Sequence, residues 1–248
     1  MPALSSTMRT AVISDIHGNL EALQQVFRDM DRSRIDSVVC LGDCVGYGPE
    51  PEEVVREIRS RGIPFIMGNH ELGLVDPSYL NWFNPPTRIS LRITRKLLTE
   101  ETLRHLKSLN PVWIDRGCRF VHGFPPDSIT TYLYEVPDVE MLRLLQSLPE
   151  RLCFIGHTHE LNLVAVEGER LTHLPFKRGL FRLRPGVRYL VNVGSVGQPR
   201  DGNNQAKYVI WDAAAGTLQL RYVTYNIVKT AEKILGLDFP ETNARRLF

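Results

Sequence analysis

The 248-residue chain has few cysteines, no long apolar run and no bias in charge. Its four cysteines, Cys40, Cys44, Cys118 and Cys153, are scattered and mostly set in strand-like runs. They read as small core hydrophobes in a reducing compartment, which excludes a disulfide framework. The C-x3-C pair Cys40 and Cys44 has no second pair to complete a zinc knuckle. No apolar stretch approaches the ~20 residues of a membrane span. Met1–Thr7 lacks the basic and apolar regions of a secretory signal, so a cytoplasmic location is expected. A formal charge of +2 gives no electrostatic reason to expect nucleic acid or a membrane surface as partner. Repeats, low-complexity tracts and linkers are also missing, which points to one domain over residues 1–248.

What is present is an ordinary globular composition, 43% hydrophobic and 23% charged, long enough for one α/β domain with a sizeable core. In the first half strands and amphipathic helices alternate. "TAVIS" (10–14), "SVVCLGD" (37–43) and "PFIMGNH" (64–70) read as strands, and "NLEALQQVFRDM" (19–30) and "PEEVVREIRS" (51–60) as helices between them. That order implies parallel strand pairing. Residues 87–109 predict two helices broken near Leu98–Glu100, with Thr99 as a helix N-cap. "DVEMLRLLQSL" (138–148) predicts another helix. After Arg151 strands dominate, with hairpin turns at Glu167-Gly168 and Ala215-Gly216, and helices close the chain from about residue 227. Two packed sheets with helices outside are expected.

Polar residues able to bind a metal recur at the ends of these strands. Asp15 and His17 follow the first ("ISDIHGN"), Asp43 the second ("CLGDCVGYG"), and Asn69 and His70 the third ("IMGNHE"). His122 ("FVHGFP") and the pair His157 and His159 ("FIGHTHE") follow later ones. In open α/β sheets ligands bind outside the carboxyl ends of the strands. A single Asp-x-His or Gly-Asp is usually a turn. Five such sites, each beside a glycine, are not explained that way. His105 and His173 sit in helix and hairpin patterns with no such context and are read as ordinary histidines.

Carboxylates, imidazoles and one amide, with no thiolate, suit borderline divalent metals such as Mn, Fe, Zn, Co or Ni better than Mg or Ca. Seven ligands exceed one tetrahedral centre. With one bridging carboxylate they would serve two cations about 3.5–4 Å apart. Water between such cations becomes hydroxide near neutral pH, since one zinc lowers its pKa from about 15.7 to about 7.

Taken together, the blocks D-x-H, G-D, G-N-H-E, H-G and G-H-x-H, spanning residues 15–159, resemble the calcineurin-like metallophosphoesterase superfamily. The loop "VNVGSVGQPRDG" is similar to that of the small bacterial and archaeal phosphodiesterase-like branch, with Val193 where proline is usual. The resemblance implies a four-layer α/β/β/α sandwich of two mixed β-sheets flanked by helices. It assigns Asp15, His17, Asp43 and His159 to one metal and Asp43, Asn69, His122 and His157 to the other. His157 and His159 thus serve different ions. It makes His70 the catalytic histidine that assists the leaving group while a metal-bridging hydroxide attacks phosphorus in line. Manganese is the metal expected to serve in vitro.

One block departs from the family's protein phosphatases. Where they carry G-D-x-V-D-R-G, this chain reads "GDCVGYG", with Gly46 in place of the aspartate that orients the catalytic histidine and Tyr47 in place of a phosphate-binding arginine. The expected substrate is accordingly a small phosphodiester or a nucleotide, and diesters should be preferred to monoesters. The alternatives are a phosphomonoesterase or protein phosphatase of the same superfamily, or a non-catalytic metal-binding scaffold. Tyr47 and Arg200, the latter in the glycine-rich loop, are the candidate substrate contacts. Arg88, Arg92 and Arg95, on one helix face, read as solvated.

Overall fold

The computed structural model of the protein describes residues 8–248; Met1–Thr7, and with them the reading of a missing secretory signal, lie outside the described residues. In chain order the strands are β1 (Arg9–Ile13), β2 (Ser37–Cys40), β3 (Val112–Asp115), β4 (Cys118–Val121), β5 (Leu152–Ile155), β6 (Leu161–Glu167), β7 (Arg170–Leu174), β8 (Gly179–Arg182), β9 (Arg188–Val193), β10 (Ala206–Asp212) and β11 (Thr217–Val223). The helices are α1 (Leu20–Arg32), α2 (Pro51–Ser60), α3 (Asn69–Val75), α4 (Pro85–Leu97), α5 (Glu100–Lys107), α6 (Asp138–Ser147), α7 (Ile227–Gly236) and α8 (Glu241–Arg245).

The strands form two mixed sheets, in the orders β2-β1-β10-β11-β8 and β3-β4-β5-β9-β6-β7. The β1–β2 pair and the β4–β5–β9 run are parallel, and the remaining pairings are antiparallel. The period-two alternation of side chains sends alternate residues of each strand to opposite faces. Val12, Val209, Trp211, Leu218 and Leu220 of the first sheet therefore meet Phe120, Phe154, Leu163, Tyr189 and Val191 of the second in an inner core. Phe120 and Phe154 stack there at 5.2 Å. Ala11, Ile13, Tyr208 and Ile210 face outward, where α1, α2 and α5 cover them through Leu23, Val26, Phe27, Val54, Ile58 and Leu106. On the far face Ile155, Val164 and Leu190 pack on Met141 and Leu145 of α6. The layers run α/β/β/α, as the sequence implied.

Thr99 caps α5 by accepting a hydrogen bond from the Thr102 amide, and the turns after Glu167 and Ala215 join the β6–β7 and β10–β11 hairpins. "PFIMGNH" differs from expectation. Only Phe65 bridges to Cys40, and the chain turns into α3 at Asn69. Gly68 lies so close to Asp43 that an added Cβ would be 2.3 Å from the Asp43 amide nitrogen, which leaves no room for a further strand residue with a side chain. Glu71 then accepts from the Gly68 N–H at 3.0 Å and starts the helix. Asn69 and His70 therefore project from a first helical turn.

Candidate metal centre

The loops leaving β1, β2, β4 and β5 converge with the first turn of α3 at one end of the sheets. Among the described residues nine non-glycine residues have positive φ, and six of these are Asp15, His17, Asp43, Tyr47, His157 and His159. Each left-handed residue costs about 1–3 kcal/mol, toward the lower end for Asp and His. A fully buried Leu, Val or Phe returns about 1.5–3 kcal/mol. The inner core beneath can thus hold these loops in a strained shape. The bends at His157 and His159 separate two side chains that a straight strand would point the same way.

All seven ligand-type residues are buried. The ligand atoms of Asp15, His17 and His159 lie within 4.8 Å of one another, as do those of Asp43, His122 and His157, and His17, Asp43 and His70 form a third such group. His17 Nε2 is 3.0 Å from His159 Nε2, which is 3.4 Å from Asp15 Oδ1. His122 Nε2 is 2.9 Å from Asn69 Oδ1 and 3.2 Å from His157 Nδ1. Asp43 joins the groups. Its Oδ2 is 3.6 Å from His17 Nε2 and 3.4 Å from His122 Nε2, while its Oδ1 accepts from the His70 amide at 2.8 Å.

Backbone carbonyls orient the rings. His17, His122 and His159 donate from Nδ1 to the carbonyls of Val45 (3.0 Å), Leu41 (2.9 Å) and Gln198 (2.6 Å). His157 is reversed, donating from Nε2 to Thr130 at 3.1 Å and turning Nδ1 inward. A carbonyl can only accept, so each neutral ring aims a lone pair at the cluster. Lone pairs on His17 and His159 only 3.0 Å apart repel unless positive charge lies among them. Asp15 Oδ1 is buried with no hydrogen-bond partner. The donor set fits divalent cations.

The pKa directions describe the same demand for positive charge. Burial, reinforced by Asp43, pushes Asp15 up to about 6. Burial opposes an imidazolium at His122, but Asp43 and Asp15 lift it to about 9, so that in the cluster alone a proton supplies the missing charge. A divalent cation would replace that proton. Burial drives His17 and His159 well below the ordinary imidazole range and His157 down to about 3, which keeps their lone pairs free.

His70 packs between His17 (ring centroids 4.6 Å apart), Tyr47 (4.5 Å) and Phe83 (5.4 Å). Its Nδ1 is buried without a partner, and a Cβ on Gly46 would lie 2.0 Å from it. The missing aspartate has therefore not been replaced by another acceptor; rings hold His70 by contact. Burial pushes it down to about 4, so it is a neutral imidazole at pH 7. Tyr47 gives its hydroxyl to Thr87 Oγ1 at 3.2 Å, under α4 and away from the metal ligands. Arg200 is exposed, bonds Gln198 Oε1 at 3.1 Å, and sets its guanidinium 6.0 Å from the Tyr47 ring centroid. His105 lies in α5 against Phe65, and His173 is exposed on Asp138, both outside the cluster. Arg92 and Arg95 are exposed, and Arg95 pairs with Glu100.

Sequence reasoning gave Glu71 no role, although it is the last letter of "GNHE". Its buried carboxylate accepts from the amides of Asp43 (2.7 Å), Cys44 (2.8 Å), Val45 (3.3 Å) and Gly68 (3.0 Å). Burial and the Asp43 charge push its pKa up to about 8, but four amide donors stabilise the ionised form. Glu71 thereby fixes the loop that presents Asp43.

Among known families, the model described as calcineurin-like phosphoesterase matches residues 8–161. An uncharacterized protein of Methanocaldococcus jannaschii is 38% identical over 246 residues, 96% of each chain. A symmetrical bis(5'-nucleosyl)-tetraphosphatase of Proteus mirabilis is 34% identical over 71 residues, 27% of this chain and 26% of its own. A solved metallophosphoesterase from Sphaerobacter thermophilus superposes with a TM-score of 0.84 at 33% identity, each chain covered to 98%.

Proposed function

The chain belongs to the calcineurin-like phosphoesterase family, and on that premise we propose that it is a two-metal phosphodiesterase or nucleotide hydrolase. The observation that carries this reading is the Asp43 carboxylate, whose Oδ2 lies 3.6 Å and 3.4 Å from imidazole nitrogens of the two ligand groups. In the proposal Asp15, His17 and His159 hold one cation, Asn69, His122 and His157 the other, and Asp43 both. Two divalent cations, when bound, supply an activated water nucleophile and neutralise charge on the phosphoryl oxygens.

The chain's own groups do the rest. Glu71 holds the Asp43 backbone, the His70 amide holds its carboxylate, and four carbonyls hold the imidazoles. His70, neutral and fixed by its ring neighbours, donates a hydrogen bond to the leaving oxygen as negative charge develops there. The match to a nucleosyl-tetraphosphatase over 71 residues supports a nucleotide substrate. Arg200 favours a second reading, a monoesterase, because its guanidinium can meet the extra charge that Tyr47 does not.

The test is a metal-titrated panel of phosphoesters, with metal content measured on the same samples. Hydrolysis of bis(p-nitrophenyl) phosphate that rises with manganese and saturates near two ions per chain is expected. Stoichiometric metal binding without turnover of any ester would instead favour a scaffold.

A further inference from the structure

Next to the cluster lies a group of aromatic rings with no part in the chemistry above. A short 3-10 turn, Pro77–Trp82, ends in Trp82, and a second one, Leu133–Glu135, is flanked by Tyr132 and contains Tyr134. Trp82 is 46% exposed and Tyr134 is 71% exposed. The half-buried Tyr132 stacks on His157 at 3.8 Å and on Tyr134 at 5.0 Å. Trp82 lies 6.2 Å from Tyr132 and 6.4 Å from His157. These four ring pairs are within 14–23° of parallel. The ledge is also tied to His70, since Trp82 abuts Phe83 edge-on at 5.0 Å and Phe83 abuts His70 at 5.4 Å.

Core packing does not account for rings this exposed, and their shared orientation is that of a stacking surface. We propose that Trp82, Tyr132 and Tyr134 form a subsite for the nucleobase of a nucleoside phosphoester whose phosphate sits at the carboxylate–imidazole cluster. The inference rests on the phosphoester reading above and names its substrate class. A base offers a neutral, planar π-face, which a set of parallel rings accepts without reading its edge. The Trp82 ring centroid lies 6.4 Å from that of His157, so a base against it stays close to a phosphate at the cluster. Tyr47, the aromatic position that sequence alone suggested for such a contact, has its ring faces occupied by His17, His70 and Arg200.

The experiment compares two esters with the same leaving group, thymidine 5'-(p-nitrophenyl phosphate) and methyl p-nitrophenyl phosphate, on manganese-loaded protein. Losing one stacking ring costs roughly 5- to 150-fold in base affinity. Trp82→Ala and Tyr134→Ala should each lower kcat/KM for the nucleoside ester at least fivefold more than for the methyl ester, mainly through KM. Trp82→Phe should restore most of the loss. Trp113→Ala, an exposed tryptophan in β3 outside this ledge, should change neither ester. Quenching of tryptophan fluorescence by adenosine monophosphate reads the subsite without turnover, and should saturate in the wild type and vanish in Trp82→Ala. If the wild type cleaves both esters but the variants lose them equally, the subsite is overturned and the phosphoester reading stands. If neither ester is cleaved, the phosphoester reading is left to the metal-titrated panel and the titration decides the subsite: saturable quenching lost in Trp82→Ala sustains it, and its absence overturns it.

Discussion

The two flanks of the cluster are built differently. Beside Asp15, His17 and His159 the molecule is closed. Tyr47 is buried against His17 and His70, Asn243 of α8 donates to the Tyr47 carbonyl at 3.0 Å, and Thr230 of α7 bonds Asn19 at 3.2 Å. Beside Asn69, His122 and His157 it opens through Tyr132 onto exposed Trp82 and Tyr134. Carbonyls fix imidazoles on both flanks, but only the second presents exposed apolar surface to incoming molecules. The closed flank leaves little room for a substrate group, and the open one offers an exposed aromatic surface. Substitutions can set the two apart.

Asp43→Asn should have the largest effect because it touches both ligand groups. The amide keeps the shape but removes the negative charge between two cations. Loss of at least one metal and of nearly all activity is expected, measured by metal analysis and turnover on the same preparation. Full retention of both ions with normal turnover would remove Asp43 from the bridging position.

Next come two changes at His70. His70→Ala should lower kcat by about 10²–10³, the range of one hydrogen-bond donor aimed at developing charge, and lower it less for esters with good leaving groups such as p-nitrophenolate. Gly46→Ala should approach that loss with the imidazole still present, since the new methyl lies 2.0 Å from Nδ1 and must displace the ring. Metal content should be unchanged in Gly46→Ala. If kcat survives there, the ring contacts do not set His70's position.

The third expectation concerns the chelated protein and acid. Burial keeps His17, His70, His157 and His159 neutral in the fold at pH values where the unfolded chain, with ordinary imidazoles near 6.5, takes up protons. Their folded pKa values are depressed, so the unfolded state binds more protons below about 6.5 and stability falls as pH drops toward 4. Asp15, pushed up to about 6, and Glu71, pushed up to about 8, oppose this with one proton each. The net slope should be on the order of 1.4 kcal/mol per pH unit for each uncompensated proton. Urea midpoints across that range measure it, and a flat profile would show that the histidines are charged in the fold.

The contrast between flanks also decides what could be read from the sequence. That Asp15, His17, Asp43, His122, His157 and His159 would cluster was legible because ligand-type side chains recur at strand ends, whereas Asn69 reaches them from the first turn of α3. The groups that orient them were not, because the carbonyls of Leu41, Val45, Thr130 and Gln198 carry no residue signature. Glu71 stood in a visible motif, but its partners are backbone amides, so its work was hidden. Trp82, Tyr132 and Tyr134 lie in short 3-10 turns and loops without hydrophobic period, where sequence gives no hint of which rings meet. The strand expected over residues 64–70 failed for a similar reason: the close approach of Gly68 to Asp43 joins residues distant in sequence.

The smallest expected effect tests whether the closed flank contributes to specificity after all. Arg200 is exposed on the loop after β9, yet its guanidinium lies 6.0 Å from the buried Tyr47 ring and its backbone N–H donates to the His159 carbonyl at 3.1 Å. The loop is therefore anchored to the cluster, and the side chain, held by Gln198 Oε1 at 3.1 Å, faces solvent where a phosphate could meet it. A phosphomonoester carries about two negative charges near neutral pH, with a second pKa near 6, and a diester carries one. A solvated arginine gains less from that difference than a buried one. Arg200→Ala should lower kcat/KM for p-nitrophenyl phosphate about three- to tenfold more than for bis(p-nitrophenyl) phosphate, an effect the size of one partly screened charge-assisted hydrogen bond. Arg200→Lys separates charge from geometry: a lysine supplies the charge without the planar fork, so substantial recovery would mean simple attraction and no recovery would mean bidentate recognition. If the wild type prefers monoesters and Arg200→Ala abolishes that preference, Tyr47 does not set the substrate class and the loop does. If both esters fall together, Arg200 attracts any anion and discriminates between none, and substrate choice is left to the open flank.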